Sequence, residues 1–121
     1  MPESDAEHMT TRRDNTFYPN GLRLIAANVT PTVSPLDRFL ALQNSSDAAA
    51  KAIVVSGVKD GQEFSAQLFA RSSTGTYTVA CSNLAAAAGT VTLDAAGEGA
   101  DFYKDDGVLY VTRLIGTATF A

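Results

Sequence analysis

The sequence predicts an all-β fold: a compact β-sandwich or barrel-like domain of seven or eight short antiparallel strands, preceded by an extended N-terminal arm. Three observations carry this expectation. Apolar and polar residues alternate with a period of two, most cleanly from Glu63 to Ala70, where Phe64, Ala66, Leu68 and Ala70 point one way and Ser65, Gln67 and Phe69 the other. Turn signals recur about every eight to twelve residues, among them Asp60-Gly61, the Gly97 and Gly99 pair, and Asp105-Asp106-Gly107. Several strands are apolar on both faces. From Val108 to Leu114, Leu109 and Val111 lie on one side and Val108, Tyr110 and Leu114 on the other. A small sheet has one internal core, so a second apolar face calls for a second sheet or another subunit.

Residues 1–16 (MPESDAEHMTTRRDNT) carry mixed charges and almost no apolar side chain, which marks an arm, either disordered or ordered by draping over a partner. Residues 17–121 form a single β domain. Phe17-Tyr18-Pro19-Asn20-Gly21 is a turn-rich anchor, and Leu22, Leu24 and Ala26 alternate with Arg23 and Ile25 as a first strand. Pro31 and Pro35 make Val29 to Asp37 an extended connector. Arg38 to Gln43 is a strand with Phe39 and Ala41 on one face and Leu40 and Leu42 on the other. Asn44 to Ala52 reads as one helical turn or a loop. Ile53 to Val58 reads as a strand, joined by a hairpin at Lys59-Asp60-Gly61-Gln62 to the strand Glu63 to Ala70. Thr76 to Cys81 follows, with Tyr77, Val79 and Cys81 inward, then an alanine-rich linker to Gly89. From Gly89 to Gly116 three strands are expected, joined by tight turns at Ala95 to Gly99 and at Asp105 to Gly107.

A chain of 121 residues can build one modest core. Charged residues make up only 18%, below the usual quarter, which favours a neutral surface and assembly over a solvated monomeric enzyme. The net charge is −4 and the nine basic residues are scattered, so nucleic acid is not an expected partner. The longest apolar runs fall far short of the roughly 20 residues of a membrane span. The first residues lack a hydrophobic signal region, so no membrane partner is expected and the expected site of synthesis is the cytoplasm. Cys81 is the single cysteine and His8 the single histidine. Cys81 reads as a buried small hydrophobe and His8 as a solvated arm residue.

Catalytic signatures are missing: no phosphate-binding glycine loop, no metal-ligand spacing, no nucleophile elbow and no histidine inside a folded element. No enzyme activity and no cofactor are expected. Asp94, Glu98, Asp101, Asp105 and Asp106 gather near two turns and read as solvated carboxylates, with calcium as the alternative. Asn44-Ser45-Ser46 matches a glycosylation acceptor and reads as chance.

The runs Asp60-Gly61-Gln62-Glu63-Phe64, Thr90 to Glu98, Phe102-Tyr103 to Asp106-Gly107, and Leu109-Tyr110-Val111 together resemble a β module of tailed-bacteriophage virion surface proteins. These include capsid decoration (cement) proteins and head or tail fibre proteins. The resemblance spans about half the chain, from Ile53 to Leu114, with Leu109 standing where that module commonly has tryptophan. It implies a non-enzymatic, commonly trimeric structural protein on the capsid surface, with the major capsid protein or another virion protein as partner. On this reading Phe17, Tyr18, Phe39, Leu40, Phe69, Tyr103 and Tyr110 are the expected interface anchors. The alternative is a receptor- or carbohydrate-binding fibre tip in which Tyr77, Tyr103 or Tyr110 stacks on sugar rings. A hydrolase using Glu98, Asp101 and Asp105 ranks third.

Overall fold

The structure, a computed structural model, describes residues 21–26, 29–44, 50–71 and 75–121. The expected arm, Phe17 and Tyr18 lie outside the described residues. Among these residues there are nine strands and no helix: β1 (Leu22–Leu24), β2 (Phe39–Asn44), β3 (Ala50–Ala52), β4 (Glu63–Arg71), β5 (Thr76–Ser82), β6 (Ala88–Leu93), β7 (Gly99–Asp105), β8 (Val108–Ile115) and β9 (Thr119–Phe120).

All nine belong to one mixed sheet with the order β1-β2-β4-β7-β8-β5-β6-β9, and β3 pairs with β5 off this path. The all-β expectation holds, but the all-antiparallel arrangement does not. β1 with β2, β2 with β4, β3 with β5, and β5 with β8 run parallel. Parallel neighbours need a long crossover, and the connectors after β1 and β2 provide them. Alternation tells which side chains face a core and carries no information on strand direction.

The sheet has two parts, β1-β2-β4-β7-β8 and β5-β6-β9, which meet at the single register position Ser82 to Tyr110. Side chains from both parts join one buried cluster: Leu40 and Leu42 of β2, Phe64 and Leu68 of β4, and Phe102 of β7 with Tyr77 and Val79 of β5 and Val91 and Leu93 of β6. The sheet therefore curls around its own core. At the centre Phe64 and Phe102, directly opposite each other in register, stack with ring centroids 5.0 Å apart. Burying each ring contributes about 2–3 kcal/mol. The buried Tyr77 hydroxyl donates to the carbonyl of Gln43 at 2.9 Å, tying β5 to β2 across this core.

Three connections differ from expectation. The segment 53–58 is not a strand. β3 ends at Ala52, and beyond it Val54 makes an isolated parallel bridge with Thr32 of the proline-bearing connector. The Val54 N–H donates to Pro31 at 3.0 Å and the Val33 N–H to Val54 at 2.9 Å. A turn then returns the Val58 N–H to the Val55 carbonyl at 3.2 Å, ending any extension. The turn 59–62 forms, with Gly61 at φ +86°, but it docks on β7 through Gly61 N–H to Lys104 at 2.7 Å and Lys104 N–H to Gln62 at 3.1 Å. It prolongs the β4–β7 ladder and is no hairpin between consecutive strands. The turn 94–98 likewise joins strands that do not pair, carrying the chain from β6 in one part of the sheet to β7 in the other.

The β7–β8 hairpin is as expected. Asp105 pairs with Val108, and Asp106 and Gly107 take φ values of 51° and 81°, the two left-handed residues of a type I′ turn. β9 was not anticipated. It lies antiparallel to β6, with Val91 opposite Phe120.

Candidate binding face

Register places the outward face of β2-β4-β7-β8 row by row. One row runs Phe39, Ser65, Asp101, Arg113 and the next Glu63, Tyr103, Tyr110. Phe69 follows Ser65 and Gln67 on the same face of β4 and is 51% exposed. Four of the expected interface anchors, Phe39, Phe69, Tyr103 and Tyr110, therefore share one face. Leu40 does not: it points to the opposite side of β2, is fully buried in the core, and has no surface to offer a partner. In a strand whose two faces are both apolar, sequence cannot tell which side is inside.

The face has two ends. Phe69 sits at the end where the chain crosses from β6 to β7. Toward the β7–β8 hairpin lies an open depression of about 610 Å³, lined by Arg38, Glu63, Ser65, Asp101, Tyr103 and Thr112. Asp101 is held on both oxygens: the Ser65 hydroxyl donates to Oδ1 at 2.5 Å and Arg113 Nε to Oδ2 at 3.0 Å. The Thr112 hydroxyl donates to the Asp101 carbonyl at 3.2 Å. A register shift between Asp101 and Phe102 leaves Thr112 as the extra residue that brings its side chain to this spot. The hydroxyl partners of Asp101 come from other strands, so only the fold brings them together.

Glu98, expected as a turn carboxylate, is buried. Its Oε1 accepts the N–H of Asp94 at 2.7 Å and of Ala95 at 3.2 Å, and its Oε2 accepts the Thr117 hydroxyl. Burial alone would raise its pKa, but Thr117 and the two backbone donors outweigh burial and hold it below the ordinary carboxylate value. Glu98 thus clamps the two chain crossings, β6 to β7 and β8 to β9, at one point. With Asp101 tied to Arg113 and Asp105 and Asp106 on the distant hairpin, the five acidic residues do not converge. Among the described residues no group of three or more potential ligands is placed to hold a metal ion. Glu98 is buried in its clamp, whereas Asp101 faces outward on β7.

Asp37 is a buried carboxylate that the sequence reading passed over. Its Oδ2 accepts the Ser34 N–H at 2.8 Å and pairs with Arg23 at 3.1 Å, while Oδ1 is buried without a partner. Burial dominates and raises its pKa, against the opposing pull of Ser34 and Arg23. Cys81 is buried on β5 as expected, and burial pushes its thiol up to about 11, away from thiolate chemistry. Tyr77, one of the expected sugar-stacking residues, is fully enclosed and cannot meet a ligand.

Compared with known protein families, curated proteins and solved structures, the chain matches none.

Proposed function

We propose that this chain is a non-enzymatic structural protein of a virion surface: a capsid decoration, or cement, protein of a tailed bacteriophage. Its β domain self-associates, with a trimer favoured, and docks on the major capsid protein or another virion protein, stabilising the shell from outside. The observation that carries this reading is Phe69. It is the one aromatic among the large, exposed apolar side chains of the described residues, on the outward face of a central strand. Half of a phenylalanine surface of roughly 200 Å², at about 25 cal/mol per Å², leaves about 2.5 kcal/mol to be gained when a partner covers it. Phe69 is the extra residue where the β2–β4 register shifts, and such a bulge re-aims a side chain, here outward from the sheet. The low charge fraction of the chain and its resemblance to virion modules support the same reading.

Sedimentation of the recombinant protein and gold labelling of particles test it. Antibody against the chain should decorate capsids purified from cells carrying its gene, and the free protein should sediment as an oligomer. Phe69→Ser should weaken assembly or particle attachment by about tenfold or more at temperatures where the variant is folded, with some fall in melting temperature from losing the buried half of the ring. Unlabelled particles together with a strictly monomeric protein at high micromolar concentration would overturn the proposal.

A further inference from the structure

We propose that the depression beside Tyr103 binds a neutral saccharide. Its composition selects that chemistry. Tyr103, partly exposed on the outward face, lines the depression and offers a ring to it, with Tyr110 next to it in register on the neighbouring strand. Beside this ring the floor is polar and stiff. Asp101 is fixed by Ser65 and Arg113, and each of its oxygens keeps a further lone pair for a ligand hydroxyl. The Ser65 oxygen, having donated its proton to Asp101, is left as an acceptor, and the Arg113 side chain is 69% exposed with donors to spare. Arg38 and Glu63 close the rim.

The charges around the site are two guanidinium groups, Arg38 and Arg113, and two carboxylates, Glu63 and Asp101. They cancel, so the site offers no net field to hold a phosphate, sulfate or carboxylate. A ligand that suits it has an apolar face to lie against a tyrosine ring and an edge of hydroxyls that both donate and accept. A pyranose ring has both. The volume, about 610 Å³, falls within the range of roughly 300–1,000 Å³ usual for small-molecule sites. This site lies at the hairpin end of the face, away from Phe69, so saccharide binding and docking through Phe69 are separable.

The test uses the full chain on an array of immobilised neutral oligosaccharides built from glucose, galactose, mannose and N-acetylglucosamine, with sialylated and sulfated glycans alongside, followed by calorimetric titration of the best binder. Saturable binding to a neutral glycan, insensitive to added salt, is the expected result. Tyr103→Leu, which keeps an apolar side chain in the sheet but removes the ring, should weaken binding about tenfold. Tyr103→Phe should stay within about threefold of the parent, and Phe69→Ser should bind as the parent does. Absence of binding to every neutral glycan, binding confined to sialylated or sulfated glycans, or full affinity in a folded Tyr103→Leu would each overturn the proposal.

Discussion

Asp37 and Glu98 are both sealed from solvent, yet their acidities move in opposite directions, because burial outweighs Ser34 and Arg23 at Asp37 while the hydrogen bonds outweigh burial at Glu98. Glu98 accepts three hydrogen bonds shared over both oxygens, whereas both partners of Asp37 crowd one oxygen and leave the other buried and bare. The stability consequences are opposite too. The folded pKa of Glu98 lies below its ordinary 4.5, so its contribution is present above that value and is lost as pH falls through the folded pKa. The folded pKa of Asp37 lies above its ordinary 3.8, so folding is favoured most while it is protonated, and that advantage is lost as pH rises through the folded pKa. Glu98→Gln should therefore cost about 1–3 kcal/mol at neutral pH, with the deficit shrinking below about pH 4.5. Asp37→Asn should gain on the parent as pH rises from about 4 toward neutrality. Urea titrations across this range measure both differences, and pH-independent gaps would contradict the assignment. Neither residue announces itself in the sequence. Glu98 sits among acidic turn residues that look alike, and Asp37 follows a proline-bearing connector. What separates them from their neighbours is the arrival of partners from elsewhere in the chain.

At the scale of elements, legibility followed the range of the interaction. The Asp106-Gly107 turn was readable because a type I′ hairpin depends on two adjacent residues adopting positive φ. The strands β4 and β5 were readable because alternation is local, and their inward residues Phe64, Leu68, Tyr77 and Val79 are buried as the period of two requires. The turns 59–62 and 94–98 were recognisable as turns, but the strands they join were not readable. Whether a turn makes a hairpin or a crossing depends on partners far away in sequence. Two glycines separate these kinds of constraint experimentally. Gly107 has positive φ and open space where a Cβ would stand, so Gly107→Ala meets only the backbone cost of about 1–2 kcal/mol. Gly99 has no positive φ, but a Cβ there would come within 2.7 Å of the Ala66 carbonyl oxygen, where β7 crosses closely onto β4. Gly99→Ala should therefore be the more damaging of the two in equilibrium unfolding, because backbone cannot move aside as a flexible side chain can. The reverse ranking would show that the β4–β7 contact is looser than the ladder geometry requires.

For the whole molecule, the question is whether folding and attachment are carried by different parts of the chain. The core of the described residues runs from Ile25 to Ala118, and its members come from both parts of the curled sheet. Residues 1–15 hold Glu3, Asp5, Glu7, Arg12, Arg13 and Asp14 and offer little apolar area to such a core. If the virion reading is right, the arm serves the partner and the sheet serves the fold. Deleting residues 1–15 should leave the melting temperature of the free protein within a few degrees of the parent while weakening its hold on the particle. Because the arm charges are of both signs, added salt should remove only part of the attachment of the intact protein, and the remainder should fall with Phe69→Ser. Combining the deletion with Phe69→Ser should give losses that add, since one change acts at the N-terminus and the other on a central strand. A truncated protein that holds particles as tightly as the full chain would place the whole attachment on the β domain. One that melts far lower would mean that the arm is part of the fold.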